Sequence, residues 1–187
     1  MIAALALLGA GCRQPAATPA GETAIPVYNK QTGRLEQLQS DRNGDGKADT
    51  WAHMDGARLL RIEVDRNGDG RADRFEHYGP AATPADARGA IERIEEADGG
   101  ADHITRRELY RDGVIDRIEE DTDLDGRMDK WEHYERGALV RLDLDLLGRG
   151  AATQRLFYRD GTVVRVESDP DGDGVFTPAS AAGKGGK

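Results

Sequence analysis

Internal disulfides are excluded in this chain, because Cys12 is its only cysteine. Aromatic residues are scarce as well, at 5% of the sequence, and 37% of residues are apolar. A chain of 187 residues with so few large side chains builds a thin core, which argues against the enclosed cleft of a conventional enzyme. Positive charge is also short: 26 Lys and Arg stand against 35 Asp and Glu, and a net charge of -9 argues against nucleic acid as a partner. No nucleophile has a plausible base nearby, and no Gly-rich loop suits a phosphate. We therefore expect no enzymatic chemistry.

What the sequence does hold is an acidic loop that recurs. Asp121, Asp123, Asp125, Gly126 and Asp129 form one copy; Asp41, Asn43, Asp45, Gly46 and Asp49 form another, and Asp65, Asn67, Asp69, Gly70 and Asp73 a third. Asp169, Asp171, Asp173 and Gly174 make a fourth, with Thr177 replacing the last Asp. Side-chain oxygens at alternate positions, followed by a Gly that permits a sharp turn, are what a hard cation with six to eight oxygen ligands requires. The loops read as Ca²⁺ sites, about four in number. Candidate ligands are the side chains at places 1, 3, 5 and 9 and the carbonyl at place 7, contributed by Lys47, Arg71 and Arg127. Glu76 and Glu132, at the twelfth place, are candidate extra carboxylates. Asx-Gly turns alone would also use these residues, but several carboxylates in one short turn repel unless a cation offsets them. Four divalent ions would neutralise all but about one of the formal charges.

The loops lie in a repeat. Asp41 and Asp65 are 24 residues apart, and Asp121 and Asp169 are two such steps apart. The same step reaches Asp145 and, backwards from 121, Ala97; both copies have lost ligands and are expected to bind nothing, as are Asp98 and Asp102. An insertion at 80–88 accounts for the longer gap after 65. Numbered from the first loop residue, place 14 is Met54, Tyr78, Tyr110, Tyr134 and Tyr158, and place 17 is Gly in most units. Place 19 is always aliphatic, as is place 22, while Arg61, Arg93, Arg117, Arg141 and Arg165 fill place 21. Six units run from about Val27 to Thr177.

Asp112-Gly113 and Asp160-Gly161 sit between apolar runs, a strong hairpin signal because Gly accepts the positive φ of the turn. One strand before each loop and one after it give an all-β fold, an antiparallel meander of about twelve strands in six hairpin repeats joined by calcium loops, open or curled. The rival is a loop-plus-one-helix unit like that of dockerins. It fits the period but places Gly inside nearly every helix at a cost of about 1 kcal/mol each time. Two further columns invite a functional reading. His53, His77 and His133 share place 13, but alternate strands are about 10 Å apart, too far for a shared zinc. Trp51, Phe75 and Trp131 share place 11, where aromatics are expected to be core; exposed, they would form a ligand-stacking row. Glu63, Glu95, Glu119, Asp143 and Glu167 at place 23 are expected to pair across strands with the Arg column.

The loops resemble those of thrombospondin type 3 repeats, dockerins, EF-hands and integrin propellers, over nine to twelve residues per unit. Tyr-x-x-Gly-x-Leu spacing is similar to that of bacterial YD-type β repeats. Leu7-Leu8-Gly9-Ala10-Gly11-Cys12 resembles the lipobox of bacterial lipoproteins, although Gly9 is not the usual Leu or Val. That resemblance implies that 1–11 is a signal segment, that Cys12 is acylated and that 12–26 is an Ala- and Pro-rich tether, with 179–187 a disordered tail. The apolar run is short and has no basic lead, so the start codon is expected upstream. Arg13, rather than Asp, after the Cys favours the outer membrane or cell surface. Taken together, the expectation is a noncatalytic Ca²⁺-binding lipoprotein held to a membrane by its lipid, or alternatively an adhesion module for a polysaccharide or protein, and no nucleic-acid binder.

Overall fold

The structure, a computed structural model, describes residues 24–80, 89–98 and 102–179. Cys12, the stretch expected to be a signal segment, most of that expected to be a tether, residues 81–88 and the residues from 180 onward lie outside the described residues. The rest is one antiparallel sheet of 13 strands in sequence order, whose first and last strands do not pair. The strands are β1 (Ile25–Tyr28), β2 (Leu35–Ser40), β3 (Thr50–Asp55), β4 (Arg58–Val64), β5 (Arg74–Tyr78), β6 (Ile91–Ala97) and β7 (Ile104–Arg111). They continue as β8 (Val114–Glu120), β9 (Lys130–Glu135), β10 (Ala138–Leu144), β11 (Gln154–Arg159), β12 (Thr162–Ser168) and β13 (Thr177–Pro178). The meander is present, it is open, and the described residues contain no helix, so the loop-helix alternative is wrong. Two boundaries shift. Folded chain begins at Ile25, inside the stretch assigned to the tether, and Ala179 is held by donating its N–H to the Val166 carbonyl at 2.9 Å.

Tight turns and acidic loops alternate at the two ends of the sheet, and each turn follows from its residues. Asp112-Gly113, Arg136-Gly137 and Asp160-Gly161 all have positive φ at both positions, the turn whose twist matches a β-hairpin. Gly56 departs by one place: it alone of its turn has positive φ, giving the variant with Gly first. Beside the turn end of the sheet a register shift recurs, between His53 and Met54 and at the equivalent point of later units. That bulge absorbs one residue per unit and keeps the same faces aligned.

Each strand contacts only its neighbours in sequence, so the described sheet has no second layer on either face. Buried apolar side chains among the described residues are correspondingly few: Leu59, Phe75, Ile94 and Ile118. Ile94 lies directly between Glu76 and Glu108, and Ile118 between Glu108 and Glu132, whose aliphatic stems cover them. The carboxylates above that row are held in turn: the Tyr78, Tyr110 and Tyr134 hydroxyls each donate at 2.6 Å to the Glu two residues earlier. Burial, then the adjoining carboxylate, pushes the Tyr110 and Tyr134 hydroxyls up to about 12. A raised pKa of this kind stabilises the fold fully below the unfolded value of about 10, and the contribution disappears as pH rises through about 12. An absorbance titration should therefore show at least two of the five tyrosines ionising near pH 12, and Tyr110→Phe should remove one of them.

Candidate metal centres along one edge

The most thoroughly buried groups lie in or beside the acidic loops rather than in an apolar core. Asp65, Asp121, Asp145 and Asp169 at place 1, Asp49, Asp73 and Thr153 at place 9, and Asp143 at place 23 are buried. A carboxylate taken from water needs hydrogen bonds or a cation. The loop backbone supplies the first. In the loop from Asp41, the Asp41 carboxylate accepts N–H bonds from Gly44 at 2.7 Å and Gly46 at 2.8 Å, and the Asp49 carboxylate accepts from Arg42 and Asn43. Asn43 accepts from the Asp45 amide and Asp45 from the Lys47 amide. The loop from Asp65 repeats this pattern bond for bond. Positive φ at Gly44 and Gly46, and at Gly68 and Gly70, turns these amides inward.

Adjacent loops are tied together. The place 1 amide donates to the place 9 carbonyl of the preceding unit in every case described: Asp65 to Asp49, Ala97 to Asp73, Asp121 to Thr105, Asp145 to Asp129 and Asp169 to Thr153. Arginines bridge as well, with Arg127 donating to the Gly148 carbonyl at 3.3 Å and Arg149 to the Asp171 carbonyl at 2.8 Å.

Carboxylate oxygens converge within 4.8 Å of one another in two loops, Asp121 with Asp123 and Asp129, and Asp169 with Asp171 and Asp173. In the loops from Asp41 and Asp65, Asn43 and Asn67 hold place 3, so an amide carbonyl stands where the other loops have a third acid. An ionised carboxylate has about four acceptor sites, so the backbone bonds leave capacity for an ion. Hard oxygens at this density suit Ca²⁺. Asp125 accepts the Arg127 amide at 2.8 Å and stands outside the three-acid convergence of its loop. Glu76 and Glu132 are not brought to the loops. They lie inside β5 and β9, where Glu76 meets Arg74 and Tyr78 and Glu132 meets Lys130 and Tyr134.

The ligand-poor loop at Asp145 keeps the same cradle. Burial opposes ionisation of Asp145, yet amides of Leu147, Gly150, Arg149 and Ala151 outweigh it and hold the carboxyl below its ordinary value. Asp169 is held down in the same way by the Gly174, Gly172 and Asp173 amides and a hydrogen bond to Asp171, again against burial. Thr153 takes over place 9, its hydroxyl accepting the Leu146 amide at 2.9 Å as Asp49 accepts that of Arg42. Thr105, Thr153 and Thr177 each donate at 3.4 Å to a carbonyl at the end of the preceding strand, those of Glu96, Leu144 and Ser168. Sequence reasoning passed over Thr105 and Thr153, although their place in the register was the available signal.

On the sheet itself, His53, His77 and His133 each face a separate carboxylate, Glu63, Glu95 and Asp143, at 3.0 to 3.3 Å. No group of three metal-binding side chains includes them among the described residues. Phe75 is buried and both tryptophans are half-buried, so place 11 does not present a solvent-facing aromatic row. The Arg column pairs along its own strand, Arg93 with Glu95, Arg117 with Glu119 and Arg141 with Asp143, because residues two apart share a face. The cross-strand pairs are made by Arg107 and Arg155 instead.

No known protein family matches the chain, and no curated relative does. Solved structures similar to it include accessory secretory protein 1,2 and 3 of Streptococcus pneumoniae, at 14% identity with a TM-score of 0.36, and the Glycosylation Associate Protein (Gap123) complex of Streptococcus agalactiae, at 11% with 0.33. They cover 67% and 71% of this chain, which spans only 19% and 20% of theirs. Likeness this low carries no functional argument.

Proposed function

We propose that this is a noncatalytic, Ca²⁺-binding repeat protein of a bacterial outer membrane or cell surface, anchored by an acylated Cys12, in which the ions stiffen the sheet. The observation that carries the proposal is the buried file of carboxylates along one edge, two of whose loops bring three acids within 4.8 Å. Ions there would replace the core that the single layer lacks. The role is structural, since each loop clamps the two strands it joins and is bonded to the loop before it. Extracellular calcium modules bind in the range of about 10⁻⁴ to 10⁻³ M, which suits calcium-containing surroundings. Counting ions tests this half, with about four Ca²⁺ expected per chain. The anchor is tested separately: a labelled fatty acid fed to bacteria making the protein should be incorporated, and Cys12→Ser should abolish both labelling and membrane recovery. Labelling that survives Cys12→Ser would remove the anchor and leave the ion sites unaffected.

A further inference from the structure

The two faces of the sheet carry opposite charge. Residues directly opposite in the register share a face, and one face is formed by places 11, 13, 21 and 23. It holds seven arginines, Arg61, Arg93, Arg107, Arg117, Arg141, Arg155 and Arg165, against five carboxylates at place 23. The other face, at places 10, 12, 22 and 24, holds Arg74, Arg106 and Lys130 against Glu76, Glu96, Glu108, Glu120 and Glu132. Over these columns, one face of an acidic protein is net cationic.

Depth sharpens the difference. Along place 21 the arginine side chains are 35 to 55% exposed, while the carboxylates beside them are 8 to 21% exposed. The guanidinium groups are outermost and the acids lie beneath. One row across the sheet reads His53, Arg61, His77, Arg93, Leu109, Arg117, His133, Arg141, Phe157, Arg165. Arginine recurs on every second strand, at an interval of about 10 Å. Burial first, then Arg93 and Arg61, hold His77 below its ordinary value, and burial with Arg141 and Arg117 does the same for His133. Both are neutral at pH 7, so uncharged side chains separate the cations.

We propose that the row from Arg61 to Arg165 binds a linear acidic polysaccharide carrying one carboxylate per disaccharide. Arginine matches a carboxylate with two parallel N–H bonds, and the uncovered layer leaves room for an extended chain. Charge density selects this class over nucleic acid, whose strand places a phosphate about every 3.4 Å. The inference rests on the sheet and is independent of the ion reading, which a Ca²⁺ titration tests by itself.

The probe is hyaluronan, with dextran as the neutral polymer and single-stranded DNA as the nucleic-acid arm, in calcium-containing buffer at low ionic strength. Wild-type protein should bind hyaluronan and not dextran, with affinity falling as salt is added. Arg93→Gln with Arg117→Gln and Arg141→Gln should weaken binding by about tenfold or more, whereas Arg106→Gln with Lys130→Gln, on the opposite face, should leave it unchanged. Should the triple variant lose its β spectrum, Arg117→Gln alone decides, since Glu119 keeps Arg107 as a partner; about threefold weaker binding is expected, and unchanged affinity overturns the proposal. It is equally overturned if wild-type protein ignores hyaluronan, if both multiple variants weaken binding alike, or if DNA binds more tightly.

Discussion

Chelating Ca²⁺ should lower the melting temperature by about 10–25 °C, the largest effect expected of any single change in conditions. With ions at about ten times the dissociation constant, each site stabilises the native state by about 1.4 kcal/mol, so four contribute about 6 kcal/mol. That is comparable to the whole net stability of an ordinary domain. For a domain of this size each kcal/mol moves the midpoint by about 2–4 °C. The effect should be this large because the described residues bury only four apolar side chains in a single layer, which leaves little else to resist unfolding. Melting followed by circular dichroism with excess Ca²⁺, and again with chelator, measures it. A shift below about 3 °C would mean that backbone bonds alone sustain the loops.

Asp121→Ala combined with Asp125→Ala should remove one ion and leave the other sites filled, since each loop carries its own ligands. It should also destabilise the protein beyond the loss of the ion. Asp121 is 4% exposed and its carboxylate accepts the Asp125 and Gly126 amides at 3.2 and 2.9 Å, and each orphaned amide costs about 1–3 kcal/mol. Asp145→Ala provides the comparison. Its carboxylate accepts the same kind of amides from Leu147, Gly150 and Ala151, in a loop where Leu147 and Arg149 replace two ligands. A similar apo-state loss of about 2–4 kcal/mol with no change in ion count is expected there. If both variants retain full stoichiometry, the first-place aspartates serve the backbone alone.

The sheet was legible because the repeat printed its geometry in columns. Gly at place 17 after Asp112 or Asp160 marked the turns, and aliphatic residues at places 19 and 22 marked the strand that follows. The beginning was harder: Ile25 and Pro26 pair with Gln39 and Leu38, but they sit in an Ala- and Pro-rich stretch that reads as linker. Glu76 and Glu132 fit a twelfth-ligand pattern by count, yet alternation directs them onto the sheet, where a Tyr two residues later takes the carboxylate. Thr153 escaped notice because the ligand pattern asks for a carboxylate, whereas accepting one amide asks only for an oxygen. The cationic face needed the register itself, since only pairing across the sheet separates seven arginines from the acidic remainder.

Calorimetric titration of Ca²⁺ into ion-free protein, with the circular dichroism spectrum recorded before and after, bears most directly on the central claim that the loops hold ions which stiffen the sheet. A stoichiometry near four, with a β spectrum that strengthens on binding, is the expected result. No heat of binding, or saturation with the spectrum and melting curve unchanged, would contradict it.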